Sequence, residues 1–511
     1  MPVSRAFRRH FLFVLIGAAG LAAARPFSAR FQEEEEIVFD AGAASRPVGH
    51  YGLGFTGKSA GACTPESHNA CVPELQPADA YVLPIPATVV RGGAGMLAEE
   101  LVFQRWRALA ASGGFTPRYE LVLGPDHCEA GKDPALDPNS MGRWLELVQE
   151  VLYKRVQPFA KSLESAIAAG TLAPPAGGNL GEYIRLDLWN EPEASFSSDN
   201  PARFFENPGQ NPRFRAYLDT WNAMHRYVRD YFDTASWANS MNPPLRPQII
   251  GPSFSGFNAR ALAEFKKEVL AQNTKPDILN WHSLSKESVR NVERHIREAR
   301  DMVAGTGMIV EINEWTPGSS SWPAADQLLQ VEPGTALRYL AVLERNAVHG
   351  AKSCWSFDPA ILPGSTHNCT NRTLNGLLTL ERTPRAIWHV FAASGALSGN
   401  LAPQKVYTEN QDAIAGFSAS QANGMILIGK HSGNRVGFVS PFVRNIPSTL
   451  VKQGKVRVSI ARIENAGLPY YPSPKTVLAP TSIAVNGSGR VGLPPQRLGP
   501  GEVLVINLSS P

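Results

Sequence analysis

Residues 183–192 read Tyr-Ile-Arg-Leu-Asp-Leu-Trp-Asn-Glu-Pro, an apolar run that closes on an amide, a carboxylate and a proline. The run predicts a buried strand followed by a loop, and Pro192 cannot continue a strand ladder. Glu191 would then lie at the carboxyl end of a strand, where barrel enzymes carry their catalytic groups. The alternative is a turn that only ends the strand, since Asn is also a common turn residue.

A second carboxylate site ends another apolar run, Gly307–Trp315, which contains Glu311 and Glu314. Successive side chains of a regular strand face opposite ways, so only one of the two carboxylates is expected to point into a barrel. We favour Glu314 because it ends the run, and we expect Glu311 to make a structural ion pair beneath the helices. Two carboxylates on separate strand ends suit glycoside hydrolysis, where one protonates the leaving oxygen and the other attacks the sugar or activates water.

The remaining chain divides into two parts that differ in their predicted secondary structure. From about residue 48 to 395, strand-like runs alternate with amphipathic helical stretches in roughly eight units, which predicts an α/β fold, a (β/α)8 TIM barrel. From 396 to 511, short β-branched runs separated by turn residues predict a C-terminal antiparallel β-sandwich. Residues 25–47 are polar and include Glu33–Glu36, and they predict a mobile lead-in or an edge strand.

Residues 1–24 have the organisation of a signal peptide. Basic Arg8 and Arg9 precede the apolar stretch Phe11–Leu21, and small residues Ala22–Ala24 follow. The apolar stretch is too short to span a bilayer, although an uncleaved membrane anchor is the alternative. We therefore expect a secreted or periplasmic protein with no membrane span once the segment is cleaved.

The composition is that of a globular chain with a large core, 43% hydrophobic and 18% charged. The net charge is +4, and three of the basic residues lie in the predicted signal peptide, so nothing indicates a nucleic-acid partner. No Cys or His spacing resembles a metal site and no Gly-rich phosphate loop is visible, so neither metal nor cofactor is expected. In an oxidising compartment Cys63 could pair with Cys71 and Cys354 with Cys369, which would leave Cys128.

The motif Trp189–Pro192, the later Glu and the order of strands resemble the clan A glycoside hydrolases. Within the clan the chain is most similar to family 39, which includes β-xylosidases and α-L-iduronidases. Trp355–Asp358, Asn375–Thr379 and Pro384–Ala386 resemble the family's last barrel strand and following helix. The resemblance covers roughly residues 80–400 and implies a (β/α)8 barrel, a flanking β-sandwich and retention of anomeric configuration.

The resemblance also implies roles for the two carboxylates. Glu191 would be the general acid/base and Glu314 the nucleophile, because Asn313–Pro317 resembles the family's nucleophile segment better than Glu311–Asn313, which fits a shorter form of it. Asn190 would donate to or accept from the sugar 2-hydroxyl, with a turn cap as the alternative.

Other candidates lie at predicted strand ends. Arg91 would hold the nucleophile ionised or make a structural salt bridge, and His282 would orient a carboxylate or touch substrate. Leu284 stands where the family often has a Tyr that contacts the nucleophile. Aromatic side chains would stack on sugar rings or lie in the core. The full substrate-binding set is Asn190, Arg91, Asp126, His127, His282, Trp315 and Trp355.

The sequence therefore predicts an exported retaining glycoside hydrolase that cleaves O-glycosidic bonds by double displacement, β-xylosidase-like or a related exo-glycosidase. Its partner would be an oligosaccharide or polysaccharide substrate. Two alternatives stay open. One is an endo-acting clan A polysaccharide hydrolase, distinguished by product size, and the other is a catalytically inactive barrel that binds carbohydrate.

Overall fold

Residues 34–511 belong to one unit in the computed structural model of the protein. The structure describes residues 34–43, 46–56, 85, 88–93, 118–123, 145–146, 148–197, 200–317, 323–354, 361, 376–379, 381–406, 411–430 and 436–511. The predicted signal peptide, Asp126, His127 and Trp355 lie outside these ranges. Cys354 is buried, but the other four cysteines also lie outside, so the disulfide pairing stays a prediction.

Eight parallel strands, each paired with the next along the chain, close into a barrel. After a first strand, β1 (Glu34–Asp40), that belongs elsewhere, the barrel strands are β2 (Gly54–Thr56), β3 (Val89–Gly93), β4 (Arg118–Val122), β5 (Ile184–Asp187), β6 (Gln248–Phe254), β7 (Ile278–Ser283), β8 (Ile309–Trp315) and β9 (Gly350–Lys352). The barrel closes because β2 pairs with β9 as well as with β3. The carboxyl ends of all eight strands therefore meet at one rim.

Helices connect the strands from β4 onward. They are α1 (Gln157–Ala168), preceded by a π-helical turn Leu152–Val156, then α2 (Pro192–Phe196), α3 (Pro201–Phe204), α4 (Pro212–Thr234), α5 (Ser236–Asn239), α6 (Ala259–Ala271), α7 (Lys286–Val303), α8 (Ala324–Gln327), α9 (Pro333–Asn346) and α10 (Ala386–Ala396). Asn211 begins α4 by accepting from the amides of Arg213 and Phe214, and Pro212 follows at the position where a missing N–H costs nothing. A barrel of the TIM type is thus confirmed. Most residues between β2 and β4 lie outside the described ranges, so a strict eightfold alternation remains a prediction.

The chain after residue 399 is rich in β-structure, as predicted. Its strands are β10 (Asn400–Leu401), β11 (Gln404–Val406), β12 (Gln411–Ser418), β13 (Asn423–Lys430), β14 (Gly437–Arg444), β15 (Lys455–Ile463), β16 (Lys475–Ala484), β17 (Val491–Gly492), β18 (Gln496–Leu498) and β19 (Val503–Ser509). One sheet has the order β10-β12-β13-β19-β15-β16, and the other contains β11, β14, β17 and β18. Apolar side chains of both sheets, such as Phe417, Ile426 and Val439, form a shared core.

The second sheet also contains β1, which corrects the expectation of a mobile lead-in or an edge strand at residues 34–40. β1 pairs antiparallel with β11 on one side and parallel with β14 on the other. Ile37 and Phe39 are buried in the core of the sandwich. The sequence did not predict a central strand here, because the segment begins with glutamates and its apolar residues begin only at Ile37.

Helix α9 joins the barrel to the sandwich. Gly334 at its start donates its amide to the Gly501 carbonyl at 2.9 Å. A Cβ at Gly334 would lie 2.0 Å from the Lys430 carbonyl oxygen, so only glycine permits this approach. Further along the helix, Arg338 pairs with Asp412 of β12 at 3.2 Å. Within the described ranges, no helix has the length and apolar character needed to cross a membrane.

Candidate active site

The loop after β5 presents Glu191 in an unusual backbone conformation. Its φ of 45° and ψ of 64° place it in the left-handed region, directly before α2. Such a conformation costs a non-glycine residue of order 1–3 kcal/mol and is found mainly at functional sites. The Glu191 amide donates to the carbonyl of Ser253, itself at a φ of 55°. The strand ends of β5 and β6 thus hold Glu191 in position together.

Glu191 and Glu314 meet at His282. The Nδ1 atom of His282, on β7, lies 2.9 Å from Glu191 Oε1 and 3.8 Å from Glu314 Oε2. The Glu191 side chain is 18% exposed and that of Glu314 is 11% exposed, so both border the open end of the barrel. The structure therefore brings together the two carboxylates that the sequence selected as catalytic.

Arg91, on β3, lies between the same groups. Its Nη1 donates to Glu314 Oε2 at 3.0 Å, while its Nη2 donates to Asp187 Oδ2 at 3.0 Å and to Asn190 Oδ1 at 2.6 Å. Charge-assisted bonds of this kind are about twice as strong as neutral ones. Arg91 thus makes both contacts that the sequence left open, since it pairs with a structural carboxylate and stabilises the Glu314 carboxylate.

The protonation state of His282 follows from its two neighbours. Its Nε2 lies 3.4 Å from Arg91 Nη2, which can only donate, so Nε2 accepts. Burial lowers the pKa of His282 to about 4, with the Arg91 charge adding to the effect, and the ring is neutral at neutral pH. Its proton is then on Nδ1, which donates to Glu191. His282 therefore orients the Glu191 carboxyl group.

Sequence reasoning missed the buried support of this site. Asp187 accepts from Asn313 Nδ2 at 2.8 Å and from Ser253 Oγ at 2.6 Å, in addition to Arg91. Asn280 in turn donates to Ser253 Oγ at 2.8 Å. An acidic residue inside an apolar strand, as Asp187 is, was the signal that could have found this network, because a buried carboxylate needs several donors.

Glu311 makes the structural ion pair expected of it, but inside the barrel and not beneath the helices. Its Oε2 lies 2.5 Å from Arg185 Nη1, and Glu120 Oε1 lies 3.3 Å from the same nitrogen. Arg185 belongs to β5 and Glu311 to β8, which are not adjacent, so this contact crosses the barrel interior.

The alternation rule that separated Glu311 from Glu314 is wrong here. Along the β7–β8 pairing, Asn280 faces Glu311 and His282 faces Glu314, with an irregularity between. Two steps on β7 therefore match three on β8, which is the count of a β-bulge. The extra residue turns both carboxylates inward at different depths, Glu311 low in the barrel and Glu314 near its open end.

Trp315 is a core residue, which corrects its expected contact with sugar. It is 1% exposed, and its ring stacks on Tyr339 at 4.2 Å and lies parallel to Phe391 at 6.3 Å. Because protein rings cover it, no face is open to a ligand. Asp126, His127 and Trp355 lie outside the described residues, so their proposed sugar contacts stay predictions.

A cavity of about 580 Å³ lies at the other end of the barrel. Its lining includes Arg118 and Ile309, the first residues of β4 and β8, together with Arg185, Glu311 and His349. Glu191 and Glu314 lie at the carboxyl ends of the strands, so this cavity is separate from the candidate site.

Two curated relatives from bifidobacteria share short stretches of sequence with the chain. It is 22% identical over 311 residues to a 3-O-alpha-D-galactosyl-alpha-L-arabinofuranosidase of Bifidobacterium longum subsp. longum, covering 59% of this chain and 23% of the relative. It is 20% identical over 249 residues to a 3-O-beta-L-arabinopyranosyl-alpha-L-arabinofuranosidase of Bifidobacterium pseudocatenulatum, covering 46% and 23%. The chain thus spans about a quarter of the length of each. No family model matches the chain.

Solved structures resemble it over nearly its whole length. A protein of Neocallimastix frontalis matches with a TM-score of 0.63 and 19% identity, covering 94% of this chain and all of the other. The family 39 enzyme of Xanthomonas axonopodis pv. citri matches with a TM-score of 0.57 and 13% identity, covering 95% and 99%. A monomeric beta-xylosidase of Caulobacter crescentus matches with a TM-score of 0.56 and 14% identity, covering 93% and 99%. The chain therefore has the fold of these solved structures, which include a family 39 enzyme.

Proposed function

We propose that the protein is a retaining glycoside hydrolase with Glu314 as nucleophile and Glu191 as general acid/base. The observation that carries the proposal is the approach of both carboxylates to one nitrogen of His282, at 2.9 and 3.8 Å. The two oxygens cannot be farther apart than the sum of these distances. This greatest possible distance is close to the lower end of the roughly 6.5–9.5 Å that separates the two carboxyl groups of inverting enzymes. If the two oxygens and the nitrogen are not in a straight line, the oxygens are closer together, nearer to the roughly 5–5.5 Å of retaining enzymes.

The reaction would run in two displacements. In the first, Glu191 gives its proton to the leaving oxygen while the Glu314 carboxylate attacks the anomeric carbon and forms a glycosyl ester. In the second, Glu191 removes a proton from water, the hydroxide oxygen replaces Glu314 on the anomeric carbon, and the sugar leaves. Arg91 stabilises the Glu314 carboxylate before and after the reaction, because its Nη1 lies 3.0 Å from Oε2.

Asn190 would bind the substrate through its amide nitrogen. Arg91 already donates to Asn190 Oδ1 at 2.6 Å, so the NH₂ group is the part of the side chain that would donate to the sugar 2-hydroxyl. A hydrogen bond at this hydroxyl strengthens as positive charge develops on the ring, which lowers the barrier and not only the binding energy.

The substrate class that we propose is a terminal pentoside, cleaved from the end of a chain. The names of both curated relatives end in alpha-L-arabinofuranosidase, preceded by a 3-O-galactosyl or a 3-O-arabinopyranosyl group, and a structural neighbour is named as a beta-xylosidase. A panel of aryl arabinofuranosides, xylosides, glucosides, galactosides and uronides would identify the sugar. Release of oligomers from a polymer would favour the endo-acting alternative, and release of nitrophenol would exclude an inactive binding barrel.

Two further features belong to the proposal. Residues 1–24 would be a cleaved signal peptide that directs the enzyme to the periplasm or the exterior, and N-terminal sequencing of the mature protein would check this. The second feature is a complete (β/α)8 barrel, as the sequence predicts.

The substitution Glu191→Gln tests the proposed function. It keeps the shape of the side chain but removes the transferable proton, so substrates with poor leaving groups should lose about 10²–10⁴ in kcat/KM. Dinitrophenyl glycosides, which need no acid, should lose far less in their first step. The matched control is Glu206→Gln, which changes an exposed carboxylate of the same region. Equal losses on both substrate types would remove Glu191 from the acid role.

A further inference from the structure

The cavity at the amino-terminal end of the barrel is lined by basic side chains. Its volume is about 580 Å³, and its walls include Arg118, Arg185, Arg300 and His349. Volumes of roughly 300–1,000 Å³ are typical of sites that bind small molecules. The reaction proposed above does not use this space, because both proposed catalytic carboxylates lie at the opposite rim. The cavity is therefore a candidate for a second binding site.

The fold brings cations to this cavity from separate elements. Arg118 begins β4, and Arg185 is the second residue of β5, the next strand of the barrel. Arg300 lies in the last turn of α7, which returns from the carboxyl rim to the amino-terminal end. Lys275 lies behind the same wall, because a Cβ added at Gly307, which lines the cavity, would be 3.4 Å from the lysine Nζ.

Carboxyl groups balance the charge of Arg185. Its Nη1 lies 2.5 Å from an oxygen of Glu311 and 3.3 Å from an oxygen of Glu120. Burial, together with the Glu311 charge, raises the pKa of Glu120 to about 8, so Glu311 supplies the negative charge at neutral pH. Neither carboxyl group forms an ion pair with another described cation of the cavity.

Three cations remain without a carboxylate partner among the described residues. They are Arg118, whose Nη1 donates to His349, and Arg300 and Lys275, which donate to backbone carbonyls. Burial and the neighbouring charge of Arg185 lower the pKa of Arg118. A positive charge that is withdrawn from water without a counter-ion is costly, so an anion in the cavity would stabilise this arrangement.

His349 adds a neutral donor to the cavity wall. Its Nε2 faces Arg118 Nη1, which can only donate, so Nε2 accepts and the ring proton is on Nδ1. Burial and the charges of Arg118 and Arg185 lower the pKa of His349 well below its ordinary value, so the ring is neutral. The Nδ1 proton has no acceptor among the described residues. Buried donors of this kind are usually satisfied by an ion or a water molecule.

We propose that this cavity binds a small molecule that bears an oxyanion, a phosphate or a carboxylate, between Arg118 and Arg300, with Lys275 adding positive charge. The planar guanidinium matches both oxyanions, because two parallel N–H groups can donate to two oxygens. Gly305 and Gly307 have positive φ values of 75° and 77°, and no side chain projects from them into the space. The ligand would link β4 to α7 and so stabilise the amino-terminal end of the barrel.

Inorganic phosphate and citrate are the probes for this site. Titration calorimetry gives the Kd of each, and the Tm is followed at the same concentrations, with sodium chloride keeping the ionic strength constant. The wild type should bind at least one probe at a single site, and its Tm should rise as that site fills. Tighter binding of citrate would identify a carboxylate ligand, and tighter binding of phosphate a phosphate ligand.

Arg118→Gln and Arg300→Gln should each weaken binding about tenfold, because each removes a charged donor. Arg260→Gln is the matched control. Arg260 is an exposed arginine in the first turn of α6, which begins at the carboxyl rim, so it lies at the opposite end of the barrel. Its replacement should leave the Kd unchanged. Both measurements are independent of glycosidase activity, so they remain decisive if the protein proves inactive on every glycoside.

Two results would overturn the proposal. One is the absence of saturable binding of either probe by the wild type, and the other is an equal Kd for the wild type and Arg300→Gln. If Arg118→Gln does not fold, Arg300→Gln decides, because Arg300 is exposed on α7 and its replacement leaves the barrel strands unchanged.

Discussion

In the proposed reaction, the two carboxylates beside His282 carry different numbers of protons. Glu191 would need a proton at the start, and Glu314 would have to be ionised to attack. A charged imidazolium between them would stabilise both carboxylates and remove the difference. Because burial lowers the pKa of His282 to about 4, the ring remains a neutral donor to Glu191, and the positive charge at Glu314 comes from Arg91 instead.

Glu314→Ala should abolish turnover, and azide should restore part of it. The substitution removes the proposed nucleophile and leaves a space from which azide can attack the anomeric carbon, giving a glycosyl azide of inverted configuration. Activity is measured on an activated aryl glycoside with and without azide, and the product is identified by NMR.

Glu311→Gln is the matched control, since Glu311 lies on the same strand but pairs with Arg185 at 2.5 Å inside the barrel. Removing one partner of a buried ion pair costs about 3–5 kcal/mol of stability. We expect a lower Tm, residual activity and no response to azide. If azide rescues Glu311 variants and not Glu314→Ala, the nucleophile is Glu311.

At the scale of single elements, strand β8 shows where sequence reasoning reached its limit. The ends of the apolar runs located Glu314, Arg91 and His282 on barrel strands and Glu191 in the loop that follows one. The bulge between β7 and β8 was not predictable, because it is defined by pairing with another strand and Ile312-Asn313 carries no local signal. Asp187 did carry a local signal, as an acidic residue in an apolar run, but its donors come from other strands and could not be read from that run.

The ion pairs low in the barrel predict a pH-dependent stability. Glu120 and Glu311 share the Arg185 guanidinium, and burial together with the Glu311 charge raises the pKa of Glu120 to about 8. The folded state then binds a proton that the unfolded chain, with its ordinary value of 4.5, releases earlier. This contribution to stability is complete below pH 4.5 and is lost as the pH rises through about 8.

Glu120→Gln should remove that dependence, because the amide resembles the protonated acid and cannot ionise. Tm is measured by calorimetry from pH 5 to 9. The Tm of the variant, relative to that of the wild type, should increase as the pH rises. The exposed Glu206→Gln should track the wild type at each pH. A difference in Tm that is constant across the range would show that Glu120 does not titrate in this window.

For the whole molecule, the order of the strands along the chain does not match their grouping into sheets. β1 comes from residues 34–40 and lies inside the second sheet, bonded to β11 and β14. Hydrophobic periodicity describes what a segment buries and not which segment covers it. Partners this distant in sequence are therefore not predictable from the local pattern.

Truncation after Gly399 should give insoluble or heat-labile protein. It would remove every strand partner of β1 and expose Ile37 and Phe39, and it would uncover the face of α9 that holds Gly334 against Lys430 and Gly501. Solubility, Tm and activity on an aryl glycoside are the measurements. A soluble, fully active truncation with weaker polysaccharide binding would show that the sandwich is a detachable binding module.

The position of β1 also imposes an order of events on a chain as it is synthesised. Apart from β2 with β9, the barrel strands pair with the next strand along the sequence, so they can associate during synthesis. β1 must wait for β14, and the Asp40–Asn445 hydrogen bond joins residues 405 positions apart. Contacts of such separation slow folding, because a long loop must close before they form. Ile37 and Phe39 of β1 are thus buried only after β14 has been made, and during that interval the strand can pair with another chain.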